Sequence, residues 1–315
     1  MNCLARILIF AAILPLLASC ADTAKIPPHS PEMAEREEAA LRVSSVEIFK
    51  QRLERLIRVH YEISVANVEL CGSNVHGSLG AEFDIISRHP KEFRDAQTRV
   101  FGITDAVTVR IVVPGSVADY AGLLPGDQII AVDEHNAEDE SWIDNTLLPI
   151  IHKGNFLTLT VKRPAGTIMI EVRPAMVCSY PVELDFDDDI TAKTNGVTIA
   201  VTTGALRFIA SDDEVAFAIT HEMAHNLLDL HGGYQSDEFA ADQLAGYLMA
   251  RAGFSVQHAV HFFRRLAVED PDSIRLNRSG NHPSTALRVI LLEKLHREIQ
   301  AKKALGEPLA PTPIP

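Results

Sequence analysis

Residues 221–225 read His-Glu-Met-Ala-His, and these side chains at this spacing can hold a metal ion and activate water beside it. On a helix, positions four apart differ by about 40° around the axis, so the imidazoles of His221 and His225 reach one ion from one face. Glu222, next to the first imidazole, is placed to take a proton from a water at that ion. The pattern is short enough to arise by chance, so its surroundings must support it. A catalytic zinc takes three protein ligands and keeps one position open, and two residues compete to be the third. His231 follows His221 by ten residues, but an unbroken helix points it about 80° away from His221. Glu238 lies at the start of a second helical segment, from Asp237 to Arg251, one turn from Asp242 on the same face. Glu238 fits better: it completes a His2Glu site, while Asp242 accepts the free N–H of His221 and fixes that ring. Taken alone, the two acids are an ordinary solvated helix start.

The elements that must position these residues are legible around them. Val197, Ile199 and Val201 alternate as a strand, Gly204 permits a turn, and Ser211 with Glu214 forms a capping box that starts the helix carrying the histidines. Val215, Phe217, Ala218 and Ile219 bury one side of it, and Gly232-Gly233 stops it. Far upstream, Leu41, Ile48, Leu53, Leu56, Ile57 and Val59 repeat with a helical period from Glu35 to about His60. Between Cys71 and Cys178 the texture changes to β-type runs, VTVRIVV, QIIAV, FLTLTVKR and TIMIEV, separated by turn signals.

Within that β-rich stretch, PGSVADYAGLLPGDQIIAVDEH resembles the PDZ domain's signature, and Ser78-Leu79-Gly80-Ala81-Glu82-Phe83 resembles its carboxylate-binding loop. The resemblance covers about residues 76–175. It implies a domain that takes an extended peptide as an added strand and holds a C-terminal carboxylate at Leu79, Gly80, Ala81, Glu82 and Phe83. The plainer alternative is a spacer of the same fold without ligand.

The 315-residue chain is 47% hydrophobic, enough for one large or two modest cores, and its net charge of −13 argues against a nucleic-acid partner. Its start, MNCLARILIFAAILPLLASC, carries Arg6, a short apolar run and small residues before Cys20, as an export signal does. The ending Leu-Ala-Ser-Cys resembles the lipobox of bacterial lipoproteins, which implies a lipid on Cys20 as membrane anchor. Ala21 after it favours the outer membrane, facing the periplasm; an ordinary secretory signal is the alternative. An oxidising compartment would let Cys71 and Cys178 form a disulfide, against two buried thiols.

HEMAH, then EFAAD, then HPSTALR, preceded by VTTGAL, resemble the gluzincin metallopeptidase family that includes HtpX, BepA and the CaaX prenyl protease. The resemblance covers about residues 180–292. It implies one Zn2+ bound by His221, His225 and Glu238, with Glu222 as general base and Asp242 behind the ligands. It further implies that Thr198–Thr202 is an edge strand pairing with substrate backbone, that Arg288 stabilises the oxyanion, and that His282 approaches the zinc and holds the enzyme latent. Only thirteen positions separate His225 from Glu238 (238 − 225), fewer than in many relatives. The paired hydrophobic transmembrane segments of HtpX and the prenyl protease are missing too, which points to a soluble, periplasmic branch.

The expected fold is α+β: a mainly helical zincin-type domain with a small edge sheet, into which a β-rich PDZ domain is inserted. The expected boundaries are a signal over 1–20, a tether over 21–34, an N-terminal helix of the peptidase over 35–70, the PDZ-like domain over 71–178, the peptidase over 179–300 and a disordered tail over 301–315. The expected activity is that of a zinc metalloendopeptidase cutting envelope or misfolded polypeptides. The alternative is a lipid-anchored PDZ chaperone or scaffold with a non-catalytic zinc, against which an intact Glu222 counts. A third reading is a resemblance to the metzincins, which place their third histidine where His231 stands but have glycine where this chain has Leu228; it implies His231 rather than Glu238 as the ligand, and the zinc content of the two alanine variants separates them.

Overall fold

The computed structural model describes residues 29–230, 237–275 and 283–311. The expectations at Cys20, His231 and His282 lie outside the described residues.

Helix α1 (Pro31–Ala66) begins where the Ser30 hydroxyl accepts the Met33 N–H and Pro31 takes the first helical position. Residues 31–34, expected in a tether, are therefore helical. The buried face of α1 serves two neighbours. Leu56, Val59 and Ile63 enter one core with Ile219, Met223 and Leu248, while Val46, Leu53 and Ile57 join Phe101, Ile103, Ile111 and Val113 in another.

The chain then leaves through Cys71 and returns through Cys178. Strands β1 (Val75–Ser78) and β8 (Ala175–Cys178) pair antiparallel with Val75 opposite Cys178, and Cys71 and Cys178 are joined as a disulfide with their Cα atoms 5.6 Å apart. Both ends of the intervening segment are thus tied together. Closing a loop over a sequence separation of 107 residues adds about 4 to 5 kcal/mol in the chain-entropy model.

That segment holds β2 (Ala81–Asp84), β3 (Thr108–Val112), β4 (Gln128–Val132), β5 (His135–Asn136), β6 (Leu157–Arg163) and β7 (Gly166–Val172). They form one antiparallel sheet in the order β2-β3-β4-β6-β7, with β5 beside β4. Helices α2 (Arg94–Phe101) and α3 (Val117–Tyr120) connect its strands, and a π-helical turn over Ile143–Leu147 runs into α4 (Leu148–His152). Leu79, Phe83, Val109, Ile129, Leu147 and Leu159 share its core.

After β8 come β9 (Val182–Asp185), β10 (Ala192–Thr194) and β11 (Ile199–Thr202), in the sheet order β10-β11-β9. This corrects one expectation: β11 is the central strand, parallel to β9 and antiparallel to β10. The acidic loop between β9 and β10 makes this possible by folding back over the start of the next helix. Its Asp187 carbonyl accepts the Gly204 N–H at 2.8 Å, and a Cβ at Gly204 would lie 2.1 Å from the Asp188 carbonyl oxygen. Only glycine allows so close an approach.

Helices α5 (Thr203–Phe208), α6 (Asp212–Leu230), α7 (Glu238–Arg251), α8 (Gln257–Glu269) and α9 (Thr285–Leu305) complete the fold. Ile199, Val201, Ile219, Met223, Tyr247 and Leu292 lie in their common core. Helix α9 corrects the expected tail, since residues 301–305 are helical. The helix ends at Gly306, whose φ of 66° provides a left-handed cap. Helical and sheet elements segregate along the chain, an α+β arrangement.

Candidate metal centre

Helix α6 is fixed at its start by the capping box. The Ser211 hydroxyl accepts the Glu214 N–H at 3.3 Å, and the Glu214 carboxylate accepts the Ala210 N–H at 2.8 Å. Arg265 grips the same carboxylate with two bonds of 2.6 Å. Val215, Ala216, Ile219, Met223 and Ala224 are fully buried along the inner side of α6. The side bearing His221, Glu222 and His225 consequently cannot rotate away from α7.

Helix α7 starts where the Asp237 carboxylate accepts the N–H groups of Phe239 and Ala240. That cap sets Glu238 in the first turn, facing α6. Among the described residues, His221, His225 and Glu238 form a group whose ligand atoms all lie within 4.8 Å of one another. The His221 and His225 Nε2 atoms are 3.2 Å apart; Glu238 Oε2 lies 3.3 Å from His221 Nε2 and Oε1 lies 3.8 Å from His225 Nε2. Tetrahedral ligands at zinc bond lengths stand about 3.3 Å apart. Two imidazole nitrogens and a carboxylate this close together could hold a metal ion, and the donor types are ones that zinc takes.

Behind the first histidine, Asp242 Oδ1 lies 3.0 Å from His221 Nδ1, which directs Nε2 toward the metal position. Arg288 in turn holds Asp242 by two bonds, Nε to Oδ2 at 2.7 Å and Nη2 to Oδ1 at 2.6 Å. Its guanidinium lies over the Phe263 ring, 4.2 Å from the centroid. Arg288 Nη1 is also 3.6 Å from Glu238 Oε2. The Nε–Nη2 edge of the Arg288 guanidinium is committed to Asp242, so its main contact with the centre passes through that carboxylate. Ser284, in HPSTALR, accepts the Leu287 N–H and starts α9, which aims Arg288 into this buried position.

Charge follows from these contacts. Burial pushes the Glu222 carboxyl up to about 7. For His221, burial opposes the charged ring, but hydrogen bonds to Asp242 and Glu238 outweigh it and hold the metal-free imidazole up to about 9. Burial likewise opposes charge on Asp242, yet Arg288 and His221 keep that carboxyl below its usual range.

Two further residues touch the centre that sequence reasoning did not single out. The Thr194 N–H on β10 donates to the Glu222 carboxylate, and the Thr194 hydroxyl donates to Asn226 Oδ1 at 3.0 Å. Glu222 and Asn226 lie one helical turn apart, so β10 is keyed to α6 beside the metal group. No motif marks Thr194; the only available signal is the position of Asn226 four residues after Glu222.

The loop over 79–83 lies away from this centre. Leu79 is buried, Gly80 has a φ of 69°, and Ala81, Glu82 and Phe83 belong to β2. All five line a cavity of about 890 Å³ that the metal group does not line.

No family model matches the chain, and no curated protein does. Among solved structures, the HtrA-type protease AlgW with a decapeptide is similar to it at 20% identity with a TM-score of 0.25, over 32% of this chain and 30% of that one. A variant of the same protease with a tripeptide is similar at 19% identity with a TM-score of 0.24, over 33% of each chain. The chain spans about a third of the length of the solved structures it matches.

Proposed function

We propose that this chain is a zinc-dependent metalloendopeptidase of the gluzincin type. The observation that carries the reading is the convergence of His221, His225 and Glu238, whose ligand atoms lie within 4.8 Å of one another, with Glu222 one residue from the first of them. Three ligands suit a hydrolytic site, where one position is left for water and substrate. A bound zinc supplies Lewis-acid polarisation of the scissile carbonyl and lowers the pKa of its water.

The protein's own residues carry the proton and the orientation. Glu222, as carboxylate, takes one proton from the attacking water while the water oxygen bonds to the carbonyl carbon. It then gives that proton to the amide nitrogen as the C–N bond breaks, and leaves as it began. Burial at this position raises the metal-free Glu222 carboxyl to about 7, so this side chain exchanges a proton more readily than a solvated carboxylate does. The Thr194 N–H steadies the carboxylate, and Arg288 positions Asp242 and through it His221. The edge available to an incoming backbone beside this site belongs to β10 rather than β11.

Replacing Glu222 by Gln tests the assignment. Zinc content should stay unchanged while casein cleavage falls by roughly 10²- to 10⁴-fold. Undiminished cleavage would remove Glu222 from the mechanism.

A further inference from the structure

Three histidines meet at the neck where the inserted segment joins the helical half, each from a different element. His60 comes from α1, His76 from β1 and His152 from the last turn of α4. All three line the cavity of about 890 Å³, beside Cys178, Ser179 and Pro181 of the returning chain. The His60 ring ties the helical half to the neck: its Nε2 lies 2.8 Å from the Tyr180 carbonyl oxygen and 3.0 Å from the Ser64 hydroxyl. His76 Nδ1 lies 2.8 Å from the Ser179 hydroxyl, and its ring is tilted against that of His152 with the centroids 4.3 Å apart. Next to this ring pair the backbones touch without slack, since a Cβ at Gly77 would lie 2.3 Å from the Ile151 carbonyl oxygen and 2.8 Å from Gly154.

The surroundings favour three neutral rings. Burial opposes a charge on His60 more than the Tyr180 carbonyl favours one, and the charge each ring meets is another imidazole's, His76 for His60 and His152 for His76. The acids that line the same cavity are engaged elsewhere. Asp84 is bonded to Arg110 at 2.8 Å and to His89 at 3.0 Å, Glu82 lies 3.7 Å from Arg110, and Asp144 is held by Arg88. On α1, Glu62 pairs with Arg58 at 3.5 Å. Glu183 on β9 is exposed, as is the cation Lys153 that follows His152, so water screens both. Tyr61, also in the lining, stays uncharged at neutral and acid pH. Protons taken up by the cluster therefore gather like charges at a tightly packed joint.

We propose that this neck is an acid-operated hinge. Proton uptake by His60, His76 and His152 releases β1 and β8 from α1 and α4, while the disulfide between Cys71 and Cys178 keeps the two ends of the insertion together. The inserted half then swings against the helical half without either unfolding. The inference goes beyond the peptidase reading and does not need zinc. Strands β1 and β8 form a sheet of two strands, and such a pair is marginal in water once its packing is lost. Opening is thus readable at its own amides.

Hydrogen exchange of the full chain, read by mass spectrometry at pH 7 and pH 5 with EDTA present throughout, tests the hinge; the chelator keeps metal loss from contributing. With His60 and His76 each held at about 4 in the closed neck against an ordinary 6.5, each ring set free favours the open form roughly 20-fold more at pH 5 than at pH 7. After correction for the pH dependence of chemical exchange, protection of β1, β8 and the Ser179 amide, which donates to the Asn74 carbonyl, should fall by about 20-fold or more. Protection across β4 and β6, where Ile129 stands opposite Val161, should change less than about threefold. His60→Gln keeps a donor where Nε2 stands, and His76→Asn keeps one where Nδ1 stands. The double variant should lose less than about threefold at pH 5, and each single variant, made in case the pair does not fold, should shrink the parent's loss at least about threefold. Equal protection of β1 and β8 at the two pH values overturns the hinge. So does a loss that β4 and β6 share, or one that the variants leave undiminished.

Discussion

At the scale of single residues, the centre is a chain of dependencies that ends at His221. Arg288 holds Asp242, Asp242 holds His221, and His221 stands 3.3 Å from Glu238. Arg288→Ala leaves the Asp242 carboxylate buried without its partner, so stability should fall by about 3 to 5 kcal/mol and zinc affinity by about 10- to 100-fold. Chemical denaturation and competition with a chelator measure the two losses. A pH dependence follows as well. Zinc must displace the proton that the metal-free site holds on His221 up to about 9, so apparent zinc affinity should rise with pH until about that value and level off above it. Calorimetry in buffers of different ionisation enthalpy would show close to one proton released per zinc at pH 7. The metal-ligand spacing was legible because helical periodicity alone brings His221 and His225 together. Glu238 was legible because a second helix start could be read. The commitment of the Arg288 fork to Asp242 was not, since it depends on how α9 packs across α7.

At the scale of elements, the helices were easier to read than the small sheet. Apolar positions repeating along α1 and α6 announce a buried face over many turns. Strand β10, by contrast, is three residues, Ala192–Thr194, too short for any alternation to register. Missing it made β11 look like an edge. The close approach at Gly204 leads to a direct prediction: Gly204→Val would drive side-chain atoms into the Asp188 carbonyl region, displace the acidic loop and loosen β10 from α6. Hydrogen exchange at the Thr194 amide should then accelerate even in metal-free protein. The disulfide acts at this scale too. Replacing Cys71 and Cys178 together by Ser should lower stability by about 3 to 5 kcal/mol, read as a shifted denaturation midpoint, without removing the zinc ligands from their helices.

At the scale of the whole molecule, the sequence showed two kinds of texture but not the space between them. The cavity of about 890 Å³ is lined by α1, β2, β9 and α4 at once, and only tertiary packing supplies that. The joint is also where acid should act first. His60 on α1, bonded to the Tyr180 carbonyl, and His76 on β1, its ring tilted against that of His152, are each pushed down to about 4, chiefly by burial. Their folded values lie below the ordinary 6.5, so the fold favours the neutral rings. Their contribution is complete above about 6.5 and is lost as pH falls toward 4. These two rings should therefore lower the Tm of metal-free protein between pH 6.5 and 4, before the depressed carboxyls of Asp212 and Glu214 begin to protonate, while His221, held up to about 9, withdraws its own contribution as pH rises from 6.5 through 9. The function proposed for this molecule, with proton transfer at Glu222, presumes that the three-ligand group holds zinc. Metal content of the purified full chain, measured by mass spectrometry beside its Glu238→Ala variant, tests that most directly. We expect about one zinc per parent chain and almost none in the variant; a parent without zinc, or a variant that keeps it, would contradict the account.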